Sequence, residues 1–270
     1  PYLEAIRQFQ KLTPDALLVG AFETAFHQTI PLERRIYGIP WEWYEEYGIQ
    51  RLGYHGASHS YVAETLIDMY GSTGKAISCH LGGSGSLCAI DDGKSVDTSF
   101  GISLQVGVIQ SNRCGDIDPF IVPFLQKEGL SLDQVLDGLT KRGGLLGISG
   151  VSNDLRDVQE AADAGNERAR LAIDVFCNGI VRHIGAYYAE LGGLDHLVFT
   201  GGIGEHGTRI REAVCHQLKH MGILLDDEKN QSCTGANTVI SRTDSPVTIH
   251  VIPANEELGV ARKTFAYLRA

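Results

Sequence analysis

Basic residues are in short supply in this chain. Lys and Arg number 23 against 33 Asp and Glu, which leaves a formal net charge of -10. A nucleic-acid platform shows a basic patch or stripe, so no nucleic-acid partner is expected. Long apolar runs are also missing. No stretch approaches the roughly 20 residues that span a bilayer, and no basic-then-apolar leader opens the sequence, so no membrane association is expected. The six cysteines (Cys79, Cys88, Cys114, Cys177, Cys215 and Cys233) are scattered. None forms a CxxC pair, which argues against a zinc site and makes reduced cytosolic thiols the expected state. There is no short-period repeat and no low-complexity tract. Glycine, by contrast, is plentiful at 32 residues, and it clusters in motifs instead of forming a flexible linker. With 43% hydrophobic and 21% charged residues among 270, the composition is that of one large globular domain or two small ones.

Hydrophobic spacing predicts a helix over Tyr2–Leu12, a Thr13-Pro-Asp turn and a short buried strand over 16–22. The aromatic-rich stretch 31–48, with Trp41, Trp43, Tyr44 and Tyr47, is expected to pack as an irregular connection. Residues 58–70 read as an amphipathic helix with two histidines at its amino end. Strand alternation follows in 75–81, 86–90 and 94–98, with a Gly-Gly-Ser-Gly turn and an Asp91-Asp92-Gly93 hairpin turn between them. Helices are expected over 118–128, over 131–140 with Ser131 as cap and Gly143-Gly144 as stop, and after a cap at Asn153 or Asp154. The longest helical pattern covers 166–191, with interruptions at Gly179 and Gly185. A strand at 196–200 then feeds a Gly201-Gly202-Ile203-Gly204 loop and a helix over 209–221. A final strand at 247–252 ends at Pro253, before a helix from Asn255. Strands that run into glycine loops and then helices indicate an α/β fold with ligands at the strand carboxyl ends.

Three segments place an imidazole, a guanidinium or a carboxylate beside glycines, where backbone can approach a ligand closely: His55-Gly-Ala-Ser-His59, His80-Leu-Gly-Gly-Ser-Gly-Ser86 and Arg113-Cys-Gly-Asp-Ile-Asp-Pro119. Together they offer donors for a charged phosphate and carboxylates for a metal ion, which points to phosphoryl transfer by a kinase of small acids. Each motif also has an ordinary reading. Thr200-Gly-Gly-Ile-Gly204-Glu205 can seat a nucleotide phosphate or adenosine, or serve plain strand–helix packing. The 80–86 hairpin tip can cradle a phosphate with main-chain donors, or be a simple β-turn. The spacing of His55 and His59 permits a zinc pair, but no third ligand stands nearby. A His55 that donates to a transferring phosphoryl group is the better reading, with His59 stabilising the loop. Arg113 can present its fork to carboxylate or phosphate oxygens, or be locked to Asp116 or Asp118 in a structural ion pair. In Asn255-Glu256-Glu257 a carboxylate can hold Mg2+. Acidic residues equally favour the first turn of a helix, and position alone favours that second reading.

Read in order, a series of runs resembles the acetate kinase family of acetate, propionate and butyrate kinases. These runs are Phe22-Glu-Thr-Ala-Phe-His-Gln-Thr-Ile-Pro31, Tyr54-His-Gly-Ala-Ser-His59, His80-Leu-Gly82, Asp97-Thr-Ser-Phe-Gly101, Arg113-Cys-Gly-Asp-Ile-Asp-Pro119, Gly144-Leu-Leu-Gly-Ile-Ser-Gly150, Ser152-Asn-Asp-Leu-Arg-Asp157, Phe199-Thr-Gly-Gly-Ile-Gly-Glu205 and Ile252-Pro-Ala-Asn-Glu-Glu-Leu258. The resemblance is collinear over nearly the whole length. It implies the duplicated, actin-like and ribonuclease H-like α/β fold shared with hexokinase and sugar kinases. It also implies a cytoplasmic homodimer, Mg2+ with ATP, and direct in-line transfer of the γ-phosphoryl to acetate or propionate, giving ADP and acyl phosphate. Carried over by position, His55 stabilises the transferring phosphoryl, and Arg113 binds the acyl carboxylate and the phosphoryl group. His80, Gly82 and Gly83 line the phosphate site, and Glu256 assists Mg2+. Asp154, Arg156, Gly201, Gly202 and Gly204 bind the nucleotide. Glu23 stands where the family has an aspartate that organises metal and acyl phosphate.

The sequence also departs from the family pattern. Glu23 adds one methylene at a spot where placement counts. Gly83 stands where an asparagine is usual, and Gln110-Ser-Asn112 replaces a Met-Gly-Thr run. The family's amino-terminal strand, its serine-rich phosphate loop and a second substrate arginine do not occur in these residues. The resemblance therefore implies mostly the second lobe: residues 26–257 as the nucleotide-binding lobe, 1–25 and 258–270 as remnants of the first, and poor turnover by these 270 residues alone. Two other readings remain: a nucleotide-binding remnant that has lost catalysis, and a variant kinase that uses another phosphoryl donor such as pyrophosphate.

Overall fold

Two apolar faces on the same strands organise the computed structural model, which describes residues 2–269. Strands β1 (Lys75–Leu81), β2 (Gly85–Asp91), β3 (Lys94–Thr98), β4 (His196–Thr200), β5 (Thr238–Val239) and β6 (Thr248–Val251) form one sheet in the order β3-β2-β1-β4-β6-β5. β1, β4 and β6 run parallel, while β2, β3 and β5 are antiparallel to their neighbours. This is the mixed α/β sheet expected from the sequence.

Side chains alternate along each strand. Ile77, Cys79 and Leu81 face one core together with Leu87, Leu197, Phe199, Ile249 and Val251. The 25-residue helix Glu167–Leu191 and the helices Leu155–Asp163 and Thr208–Gln217 cover that face. Ala76, Cys88, Ile90 and Val198 face a smaller core closed by Val62, Ala63 and Leu66 of the helix Gly56–Tyr70. Ser78 pairs with Cys88 and His80 with Ser86 across the β1–β2 ladder, so these polar residues lie under the same helix. The helix Glu256–Tyr267 packs along Gly56–Tyr70. There Lys263 Nζ donates to Ser60 Oγ, and Arg262 pairs with Glu64 and Asp68 at 3.9 and 3.8 Å. No helix among the described residues is long and apolar enough to cross a membrane.

Local signals mark many boundaries. Ser131 and Gln134 form a reciprocal capping box at the start of Leu132–Lys141, and Asp154, Asn166 and Asn255 cap the helices that follow them. Asp92 and Gly93 both take positive φ, 44° and 78°, as a two-residue hairpin turn requires.

Several expectations are corrected. The 16–22 segment is no strand: Leu17, Leu18 and Phe22 are exposed, and no strand of the sheet pairs with it to satisfy its backbone. The 31–48 stretch is not irregular but holds two short helices, Leu32–Arg35 and Trp41–Tyr47, with Trp41, Trp43 and Tyr47 exposed. Gly179 and Gly185 do not interrupt Glu167–Leu191; Gly179 packs on Val108, so tertiary contact outweighs its low helix propensity. The 118–128 helix begins only at Ile121, because Asp118 Oδ1 accepts from Phe120 N and holds a turn. The 131–140 helix does end before Gly143-Gly144, at Lys141, and Gly144 then opens a further helix, Gly144–Ser149, that the sequence pattern does not predict. The Gly201–Gly204 loop is the first turn of a helix, Gly201–His206. The 209–221 helix is Thr208–Gln217 plus a 3-10 turn at Lys219–Met221. Phe176 is fully enclosed in the larger core. Phe176→Ala should cost about 3–5 kcal/mol in urea unfolding, whereas the exposed Leu171→Ala on the same helix should change it by less than about 0.5 kcal/mol.

Candidate active site

The site is built at the carboxyl ends of the parallel strands, where β1 delivers His80 and β4 delivers Thr200. His55 caps the helix Gly56–Tyr70 in the left-handed conformation, φ 56° and ψ 29°, which is costly for a residue with a Cβ. What holds it there is tertiary. Gly56 N donates to Glu23 O at 2.9 Å, and the two backbones approach so closely that any side chain at 56 would collide. His55 Nδ1 lies 2.9 Å from Ser86 Oγ, and its ring stacks on His80 with centroids 4.2 Å apart. His59 Nε2 meets the same Ser86 hydroxyl at 2.8 Å, so the His55/His59 pair converges on a serine. Burial, with His80, His27 and Arg113 as positive neighbours, lowers the His55 pKa to about 3. Burial also lowers His80 and His27 to about 4 and holds His59 well below its ordinary value. These imidazoles are uncharged at neutral pH.

Around them lie the charged groups. Arg113 donates to Gln110 Oε1 at 3.0 Å and Ser84 Oγ at 3.3 Å, and it has no carboxylate partner among the described residues. Asp116 instead accepts from Gly107 N, and Asp118 accepts from Phe120 N, so the structural ion pair is not formed. Glu256 occupies the first turn of its helix, with Oε1 4.0 Å from His80 Nδ1. Burial pushes its carboxyl up, and the negative Glu23 and Glu257 push it further. Glu23 Oε2 accepts from Ala57 N at 3.3 Å. His55, His80, Glu23, Arg113 and Glu256 are thus brought together from five segments.

Beside this cluster opens a cavity of about 630 Å3, lined by Gly82, Gly83, Asp154, Arg156 and Gly202 among others. Arg156 grips Asp154 through two hydrogen bonds of 2.6 and 3.0 Å, lowering that carboxyl to about 2. Gly201 and Gly204 do not line the cavity. Gly204 is buried against Phe199, and Gly201, with φ 75°, passes close to Leu81. Sequence reasoning missed Asn153, Ser111 and Gln159 in the cavity wall, and Ser58, Ser78 and His27 behind the imidazoles. The available signal was a serine breaking the apolar runs of β1 and β2.

A family model described as the acetokinase family matches residues 1–262. The chain belongs to that family. It is 48% identical over 268 residues to the acetate kinase of Carboxydothermus hydrogenoformans, covering 98% of this chain and 67% of that protein. It is 49% identical over 264 residues to the propionate kinase of Citrobacter rodentium, covering 96% of this chain and 65% of that one. The crystal structure of Porphyromonas gingivalis acetate kinase superposes with a TM-score of 0.94 at 39% identity, covering 98% of this chain and 68% of that chain. The fold is therefore actin-like, and the chain spans about two thirds of the length of the relatives it matches.

The depressed histidines set a pH dependence. An unfolded histidine titrates near 6.5, whereas His27, His55 and His80 stay neutral down to about 4, 3 and 4. Between those values the unfolded chain binds more protons, so stability is fully present above 6.5 and is lost as pH falls toward 4. Each such histidine contributes at most about 1.4 kcal/mol per pH unit in that window. Glu190, raised to about 7 by burial and by Asp97, works in the opposite sense. A His55→Gln variant separates the two. Its urea midpoint should fall less steeply than the parent's between pH 7 and pH 5, and equal slopes would contradict a neutral buried His55.

Proposed function

We propose that the chain carries an acetate kinase-like phosphotransferase site, which moves the γ-phosphoryl of ATP to a short-chain carboxylate such as acetate or propionate. The observation that carries this reading is an arginine with no carboxylate partner among the described residues, beside two stacked, uncharged imidazoles and next to a glycine-lined cavity. Arg113 supplies a forked cation for oxyanions, to hold the acceptor carboxylate and the phosphoryl oxygens. His55 supplies a neutral donor for the charge that spreads over the equatorial oxygens as transfer proceeds. A carboxylate oxygen of the acid forms the new bond to phosphorus while the bond to the ADP oxygen breaks, and no proton need move. Nucleotide would lie along Gly82, Gly83 and Gly202, with Asp154 and Arg156 at its other end.

Glu256 suits a divalent cation, because it is half-buried and its carboxyl is pushed up by burial and by the neighbouring negative charge of the exposed Glu23, which a cation would relieve. Magnesium, when bound, neutralises the phosphate oxygens. In this reading residues 26–257 form the nucleotide-binding lobe, and the terminal segments belong to the first lobe. The helix Tyr2–Leu12 supports that division by presenting Leu3, Phe9 and Leu12 to solvent.

Hydroxamate trapping of acyl phosphate with ATP, Mg2+ and acetate tests the reading. In an intact, two-lobed version of the enzyme, Arg113→Ala should lower kcat/KM by about 10²–10³-fold, and His55→Ala should lower kcat by about 10²-fold with a smaller effect on the KM for acid. A His55→Ala variant changed only in KM would make His55 a ground-state binding residue. Nucleotide binding without product would indicate a lapsed enzyme, and product only with pyrophosphate would indicate another phosphoryl donor.

A further inference from the structure

A line of three buried side chains leads away from the partly buried His55 into the core. Ser86 Oγ lies 2.9 Å from His55 Nδ1 and 2.8 Å from His59 Nε2, and His59 Nδ1 lies 2.9 Å from Ser78 Oγ. Ser78, His59 and Ser86 are fully buried. Counting protons fixes the direction of every bond. A hydroxyl has one proton, and a neutral imidazole carries one on either nitrogen. The only side-chain hydrogen bond of Ser78 among the described residues is the one to His59 Nδ1. If His59 donated there, the Ser78 proton would be a buried donor with no acceptor, which is strongly disfavoured. Ser78 therefore donates, and His59 carries its proton on Nε2. That proton goes to Ser86 Oγ, so the Ser86 proton has one remaining acceptor, His55 Nδ1. Burial keeps both imidazoles neutral, as this count requires.

We propose that Ser78, His59 and Ser86 are positioning residues that lock His55 in the Nε2–H tautomer, so that a neutral histidine presents a donor, and not a lone pair, to an anionic ligand. His80 is set in the same way. The fully buried Ser58 has His80 Nδ1, at 2.8 Å, as its side-chain partner, and Glu256 Oε1, 4.0 Å from the same nitrogen, lies beyond hydrogen-bond reach, which leaves the His80 proton on Nε2. The two stacked rings thus each offer an Nε2–H donor without adding positive charge. A lone pair on either ring would repel a phosphoryl oxygen. The tautomer assignment stands on the hydrogen-bond geometry and on burial; its catalytic consequence rests on the phosphotransfer reading.

Nitrogen NMR on the full chain with 15N-labelled histidine, assigned with His55→Gln, His59→Gln and His80→Gln variants, reads which nitrogen holds each proton. At pH 7 the expected result is a single Nε2–H tautomer for His55, His59 and His80. A His55 that is protonated on Nδ1, or on both nitrogens, overturns the proposal. Ser86→Ala should convert the His55 signal to a mixture of tautomers, and Ser86→Thr, which keeps the hydroxyl, should restore the single form. A His55 signal unmoved in Ser86→Ala also overturns it. In the trapping assay, Ser86→Ala should lower kcat about tenfold with the nucleotide KM unchanged, and should add nothing in a His55→Ala background. An equal loss in both backgrounds would mean that Ser86 acts on packing and not through His55. If the intact, two-lobed enzyme forms no acyl phosphate, the kinase reading fails, and the NMR result on this chain still decides the relay.

Discussion

The Ser86 hydroxyl, fully buried between two imidazoles, is the contact on which the geometry of the site depends. A polar group in that position must find its partners inside the protein, because no water is there to replace them. It finds them only when β1 and β2 pair in one register and the helix Gly56–Tyr70 lies over them. A one-residue slip of β2 would turn Ser86 to the opposite face and place Leu87 under His59. The hydrogen bonds of one serine therefore couple strand register, helix position and the strained backbone of His55. The close approach of Gly56 to Glu23 pins the same corner from the other side.

Electrostatics follow from that burial. A chain with a formal net charge of -10 repels anions at long range, so the proposed site relies on short-range donors. Desolvation strips the histidines of charge, which leaves Arg113 as the cation of the cluster and the imidazoles as neutral donors. This separation of roles suits a reaction in which charge is redistributed over oxygens and not created. The negative Glu23 lies close enough to Glu256 to push its carboxyl up, on top of the effect of burial.

Much of the fold could be read from local pattern. The three strands from 75 to 98, the 196–200 strand, and the helix caps at Ser131, Asp154, Asn166 and Asn255 are fixed by alternation, turn chemistry and side-chain capping, which act over a few residues. The failures share one cause. Residues 16–22 have the composition of a strand but no ladder partner. Gly179 and Gly185 have poor helix propensity, yet they lie in a helix that packing sustains. In each case the deciding contact comes from a segment distant in sequence.

The sequence by itself determined the α/β class, the family and the chemical types gathered in the glycine-flanked motifs, because collinear motifs and short-range periodicity do not depend on the rest of the fold. Tertiary structure decided what those residues do to one another. It showed that Arg113 is unpaired with Asp116 and Asp118, that Gly202 faces the cavity while Gly204 packs the core, and that His59 reaches His55 through Ser86. The physical reason is burial. Whether a histidine is charged, and which nitrogen keeps its proton, depends on the solvent excluded around it and on hydroxyls that arrive from strands about twenty to thirty residues away along the chain.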